Sequence, residues 1–423
     1  MRETLIVISD YVEGEPVVAS VRFAGLMEHF REQYDLIVIH DGKYGTGASR
    51  YAVEDYPYVT MDSVLTQSMK GDTDANERGV FGQLAENLLR NPWTLSAWRN
   101  YKYSKFKFDR MNAALYAQLD LILTNRTIGA VFVTVPDVYA LYILDYIKRK
   151  SPHMQAVIEI RDIINHSIGK GNPKYVFRQA EQMISRLADG VIAVSEGIYQ
   201  HYRIRNPQKE MELITNGYDE NLFKDSDFMR LSGTSESISL VHIGSIYKGR
   251  NVGALMDGLD LFYRQTGIAV TLHIAGLLDR QAVEDIDRTE YSEPGVRIHI
   301  YGSMEHHKAV QLLKAANVAV ILTHTRGSGF AIPGKTFEYI GACKPILAVS
   351  EDQELISLVQ DRYGECAGHD PKAIAASLGQ LIKNSYDFSG RHKYSRKLQA
   401  ERILGFLGHI TLDGGINMIG KEV

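Results

Sequence analysis

Short apolar runs recur along the whole chain and restrict it to one fold class. The first half carries LIVIS (5–9), DLIVIH (35–40), AVFVTV (130–135), AVIEI (156–160) and GVIAVS (190–195). The second half carries ISLVHIG (238–244), VTLHIAG (270–276), VRIHIYG (296–302), VAVILT (318–323) and PILAV (345–349). Runs of this length with few polar breaks are the pattern of parallel strands buried on both faces. Helical patterns separate them, as βα units require. Two such series predict an α/β protein of two doubly wound domains in tandem. A chain of 423 residues is too long for one ordinary core and suits two.

The boundary is expected at ELITNGYDENLF (212–223), where Asn216-Gly217 is a turn dipeptide and the polar stretch KDSDFMRLSGTSES follows. The first domain then covers 1–218, with a helical insertion at about 75–125, and the second covers 219–390. Residues 391–423 read as a closing amphipathic helix that crosses back, ending in a loose tail.

Composition excludes several classes. Hydrophobic residues make up 45% and charged residues 23%, as in an ordinary globular enzyme. The net charge of −4 argues against a nucleic-acid partner, so any basic surface is local. The only cysteines, Cys343 and Cys366, form no motif, which fits a reducing compartment and excludes a cysteine zinc site. The first apolar run is too short for a signal peptide, and no window suits a membrane span. The expected location is cytoplasmic, with one opening to a membrane surface. Residues 93–110, WTLSAWRNYKYSKFKFDR, interleave Trp93, Trp98, Tyr101, Tyr103, Phe106 and Phe108 with Arg99, Lys102, Lys105, Lys107 and Arg110. That pattern suits peripheral contact with anionic lipid or a lipid-linked acceptor. It equally suits a helical insertion whose aromatics pack inward and whose lysines are solvated.

Two segments carry chemistry. ISLVHIG ends a strand at Gly244, where a glycine lets a ligand approach the backbone. Lys248 and Arg250 follow in the loop, facing either a phosphate or solvent. The second segment is FAIPGKTFEY (330–339). Pro333 sits at or just before a first helical turn, where its missing N–H costs nothing. A helix start at Gly334 offers partial positive charge and N–H groups, and Lys335 adds a cation. Glu338 lies one turn further in, where a carboxylate repels phosphate but accepts hydrogen bonds from paired sugar hydroxyls. Phosphate beside ribose indicates a nucleotide. The simpler alternative is a helix start with an acid favoured by the dipole.

In combination, GSIYKGRN after the first strand of the second domain, PGKTFEYIGACKPIL near its end, RLADGVIAVSEGI (186–198) and ITNGYDENLF resemble the GT-B fold nucleotide-sugar glycosyltransferases. These have two tandem Rossmann-like domains, and the nearest likeness is to their retaining family 4. It spans nearly the whole chain and is weakest over roughly 42–128. The resemblance implies a hexosyltransferase that moves a sugar with retained configuration from a nucleotide-diphosphate donor, UDP or GDP foremost. The acceptor would be a hydroxyl of a glycan, a lipid-linked or a small-molecule acceptor, with no metal or other cofactor required.

The resemblance also implies roles. Gly244 matches the glycine under the donor diphosphate, Arg250 stands where the family has a lysine, and Ser245 where it has an arginine, with Lys248 as a replacement cation. Pro333, Lys335, Phe337, Glu338 and Tyr339 match a P-x-K-x-F-E-Y branch, in which Glu338 binds the donor ribose. Phe330 stands where the family's other glutamate meets the transferred sugar, a loss that this branch shares. The base would lie near Gly302 and Ser303. Arg250 and Lys335 would stabilise charge on the leaving phosphate.

The first domain would bind the acceptor. Gly14 loosely matches a glycine-rich loop, and Arg22 is either an anion contact or a surface helix charge. VIEIRDIINHS (157–167) ends a strand at Arg161 and Asp162, with His166 beyond; Asp162 and His166 are the candidates beside the reacting sugar. The alternative is an Arg161–Asp162 pair that satisfies loop backbone. Two other functions remain compatible: a GT-B nucleotide-sugar epimerase, and a non-catalytic transferase-like subunit.

Overall fold

The computed structural model describes residues 2–10, 18–40, 52–55, 91–136, 138–165, 171–228, 236–247, 249–288, 295–325 and 332–419. The chain forms two compact units, Met1–Thr215 with Ala400–Val423, and Asn216–Gln399.

In the first unit the strands are β1 (Thr4–Ser9), β2 (Asp35–His40), β3 (Ala52–Asp55), β4 (Ile128–Val135), β5 (Ala156–Ile160), β6 (Gly190–Ala193) and β7 (Glu210–Leu213). They form one sheet in the order β3-β2-β1-β4-β5-β6-β7. Every pairing is parallel. The helices are α1 (Val18–Gln33), α2 (Pro92–Ser104), α3 (Ala113–Asn125), α4 (Val138–Lys150), α5 (Lys174–Leu187) and α6 (Glu196–Arg205). Alternation along β1 shows why its run needs no polar residue. Leu5 and Val7 join Phe23, Leu26 and Phe30 of α1 on one face. Ile6 and Ile8 join Leu141 and Leu144 of α4 on the other.

In the second unit, β8 (Ser237–Ile243), β9 (Ala269–Ala275), β10 (Val296–Ile300), β11 (Val318–Leu322), β12 (Ile346–Val349) and β13 (Gly364–Ala367) follow the order β10-β9-β8-β11-β12-β13. Helices α7 (Val252–Thr266), α8 (Arg280–Arg288), α9 (His306–Ala315), α10 (Lys335–Gly341), α11 (Gln353–Val359) and α12 (Pro371–Leu381) connect them. A last helix, α13 (Arg396–Ile419), starts in this unit. From Ala400 it belongs to the first, where Ile403, Phe406 and Leu407 cover the α1 side of the sheet. The edge strands β7 and β10 depart from the doubly buried pattern. β10 is an edge, and its Ile300 is 51% exposed.

Strand order reverses between β1 and β4, and again between β8 and β11. At such a switch point the loops leave the strand ends toward opposite faces, and a crevice opens between them. Gly244 directly follows β8 and Thr323 directly follows β11, so the second switch point lies at the sequence-predicted glycine.

Candidate functional site

The site is assembled around the end of β8. Gly244 has φ of +115°, and a Cβ there would stand 2.7 Å from Lys335 Nζ. Any side chain would therefore be strained and would displace the ammonium. A Cβ on Gly276, after β9, would stand 2.3 Å from the Gly244 carbonyl carbon and oxygen, so the two loops touch backbone to backbone. Ser245 ties them together. Its Oγ accepts from the Leu277 amide at 3.3 Å, and Ile246 N donates to Leu277 O at 2.9 Å.

Arg250 folds back over the same loop. Its Nη1 donates to Ser245 O at 2.6 Å, and its guanidinium lies 4.8 Å from the Tyr247 ring centroid. Among the described residues, the buried Nε has no hydrogen-bond partner. Arg250 also bridges to His324 after β11, which spans the switch point.

Helix α10 is fixed by the residues that flank its charges. Phe337 is fully buried, 5.1 Å from the Tyr394 ring. Tyr339 is also fully buried; its hydroxyl accepts from Ile243 N at 2.9 Å and lies 3.4 Å from Val320 O. That phenol joins β8 to β11. Thr336 N and Phe337 N donate to Pro333 O and Gly334 O in a tight first turn. Those bonds leave at most the amides of Gly334 and Lys335 for an anion, fewer than an ordinary α-helical start offers.

Lys335 Nζ stands 3.4 Å from His242 Nε2. His242 is buried, and its Nδ1 lies 3.0 Å from Val320 O. A carbonyl only accepts, so Nδ1 carries the proton and Nε2 presents a lone pair to the ammonium. Burial, then the Lys335 charge, hold the imidazole well below its usual pKa. The residue Lys335 keeps partial exposure, yet burial of its ammonium and then repulsion by Arg250 bring its pKa down to about 7. Two cations thus share a desolvated corner. Glu338, with its side chain 15% exposed, is held by His306 Nε2 at 2.8 Å, and this bond raises the His306 pKa.

The structure brings together Gly244, Ser245, Arg250, Lys335 and Glu338 within the second unit. Pro333 and Gly334 form the turn that opens α10, and Gly302 and Ser303 follow the edge strand β10. Gly14, His166, Lys248 and Phe330 lie outside the described residues. Sequence reasoning missed His242, Gly276 and His306. A histidine inside an apolar run and the EHHK after Gly302-Ser303 were the available signals.

In the first unit the charges are paired internally. Arg22 is 6% exposed and bonds Glu159, itself 1% exposed, so it is not a surface helix charge. Arg161 pairs with Asp10 at the end of β1 rather than with Asp162. Asp162 accepts from the Ile163 amide at 2.8 Å. Residues 93–110 divide between inside and outside. Phe106 packs 4.6 Å from the Tyr139 ring, and buried Lys102 lies over Trp98. Trp93, Tyr101 and Phe108 are 85%, 72% and 57% exposed. Among the described residues, no group of three His, Cys, Asp or Glu side chains is arranged to hold a metal ion.

No protein-family model matches this sequence, and no curated protein matches it. Solved structures do match, over nearly its full length. HepE from Anabaena, in complex with UDP and glucose, is 14% identical over 99% of this chain and 100% of that chain, with a TM-score of 0.54. α,α-Trehalose 6-phosphate synthase from Burkholderia multivorans is 11% identical over 99% of each chain, with a TM-score of 0.60. UDP-GlcNAc 2-epimerase from Methanocaldococcus jannaschii is 9% identical over 97% of this chain and 100% of that chain, with a TM-score of 0.54. The chain has the GT-B fold. In a GT-B chain two doubly wound units stand in tandem, and here each supplies one switch point. At such low identities the likeness establishes the fold alone.

Proposed function

We propose that this chain is a glycosyltransferase that moves a sugar, with retained configuration, from a nucleotide-diphosphate donor to a hydroxyl acceptor. The observation that carries this is the pair Lys335 and Arg250, gathered at the β8–β11 switch point, with Glu338 held one turn away by His306. A cationic corner placed there is suited to a diphosphate, and a carboxylate beside it to a ribose diol. Solved structures of the same fold include one in complex with UDP-glucose, which supports a nucleotide sugar as the donor.

In the proposed reaction the bond between the anomeric carbon and the diphosphate oxygen breaks, and the diphosphate leaves with the electron pair. Lys335 and Arg250 stabilise the negative charge that grows on it, in a partly water-excluded setting where each cation counts for more than in bulk water. The acceptor hydroxyl attacks the same face and passes its proton to the departing diphosphate oxygen. Asp162 and His166 remain the residues proposed beside the reacting sugar, and Gly14, Arg22, Arg161 and Asp162 those proposed for the acceptor side. The resting pairs of Arg22 and Arg161 make these two positioning groups rather than free anion contacts.

The exposed Trp93, Tyr101 and Phe108, with the exposed cations Lys107 and Arg110, support contact with an anionic lipid surface that would carry a lipid-linked acceptor. No helix among the described residues is long and apolar enough to cross a membrane. Flotation with anionic liposomes at low salt tests this contact, and absence of binding there would end it.

Transfer and hydrolysis assays across UDP-, GDP- and ADP-sugars test the activity. Release of nucleoside diphosphate dependent on an acceptor supports a transferase. An epimerised donor recovered intact would indicate the epimerase chemistry of one structural neighbour. Binding without turnover would indicate a non-catalytic subunit.

A further inference from the structure

We propose that His306 is a positioning residue that gives the site its preference for ribose over deoxyribose, a role that rests on Glu338 being the ribose carboxylate. His306 opens α9, the connection that runs from the edge strand β10 to β11, while Glu338 lies on α10 after β11, so the bond joins two separate segments. Nε2 bonds Oε1 at 2.8 Å, which leaves Oε2 and the second lone pair of Oε1 for the ligand. The other charges that face His306 are Arg396, at the start of α13, and Asp219.

The bond does two things. A free glutamate has three rotatable side-chain bonds, and a bidentate grip on a vicinal diol needs one rotamer. His306 selects it. Lys335 also stands three residues before Glu338 on the same helix, at a spacing where Lys and Glu side chains pair, and the two already interact electrostatically. Released from His306, the carboxylate would turn toward Lys335 and neutralise the cationic corner meant for the diphosphate. His306 therefore keeps the anion-binding half and the sugar-binding half of the site apart.

The test is a ratio of affinities, measured by calorimetry for UDP, GDP and ADP, each against its 2′-deoxy counterpart. A hydrogen bond to a carboxylate corresponds to roughly ten- to a hundredfold, so the wild type should prefer ribose by about that factor. His306→Ala and His306→Asn should bring the ratio below about threefold. His306→Gln places an amide N–H near where Nε2 stands and should restore it. Thermal melts establish that each variant is folded, and the partial exposure of the side chain favours tolerance. If His306→Asn keeps the wild-type ratio while Glu338→Ala loses it, the positioning role is overturned and the ribose contact stands. If Glu338→Ala keeps the ratio, the ribose contact itself is wrong and this inference falls with it.

Discussion

Raising the pH through 7 should weaken binding of a nucleoside diphosphate, because Lys335 enters the unliganded state half deprotonated. Its pKa is about 7, set by burial and by Arg250. A phosphate about 3 Å from the ammonium would attract it by roughly 5 kcal/mol at an effective dielectric of about 20. That is close to four pKa units, which carries Lys335 above pH 10 in the complex. Between these limits every bound ligand requires a proton from solvent. Affinity should then fall about fiftyfold from pH 7 to pH 9, approaching tenfold per unit. Below pH 7 the effect flattens, as Lys335 is already charged while the last phosphate proton, with a pKa near 6, begins to bind. Titration calorimetry at pH 8, in two buffers of different ionisation enthalpy, should count nearly one proton taken up (~0.9). Lys335→Arg should flatten the profile with affinity kept, and Lys335→Met should flatten it with affinity lost. An unchanged affinity from pH 7 to 9 with no proton uptake by the wild type would refute the reasoning.

The same depressed pKa has a consequence for stability. The unfolded chain holds the Lys335 proton up to about pH 10.4, so between about 7 and 10.4 it binds more protons than the folded chain, and ligand-free stability from this group rises with pH. Lys335→Met should accordingly raise the Tm of the ligand-free protein at pH 6, and a lower Tm would contradict this. Gly276→Ala puts a Cβ 2.3 Å from the Gly244 backbone and should weaken nucleotide binding about tenfold or more with the fold intact, measured by the same calorimetry. Glu159→Ala strands Arg22 in the first unit's interior and should cost about 3–5 kcal/mol by urea denaturation; a loss below about 1 kcal/mol would mean water or another group reaches the guanidinium. Arg250→Ala should lower turnover in the transfer assay far more than stability, since among the described residues its guanidinium is held by the Ser245 carbonyl and the Tyr247 ring.

The fold class was legible because burial on both faces leaves long unbroken apolar runs, as β1 and β4 show. β3 (AVED), β7 (EMEL) and β13 (GECA) left no such mark. All three lie at sheet edges and have only four residues, too few for a periodic run, and in β13 the buried Glu365 is satisfied by Gln360, Asn384 and Tyr386. In the site, Lys335 and Glu338 were legible because they share a short helix with Phe337 and Tyr339, whose burial explains their spacing. His242, Gly276 and His306 come from other segments, distant in sequence and brought near only by the tertiary fold. Arg22 was ambiguous for a related reason. Its partner is the lone acid in AVIEI (156–160), a charge inside an apolar run that signals a buried cation without naming it.

The central claim is that a nucleoside diphosphate binds with its phosphates at Lys335 and Arg250 and its ribose at Glu338. Titration of UDP, GDP and ADP into the wild type and into Glu338→Ala tests it most directly. The account predicts that at least one of the three binds the wild type and that Glu338→Ala weakens it by about ten- to a hundredfold. Equal affinity in the two proteins would contradict the account.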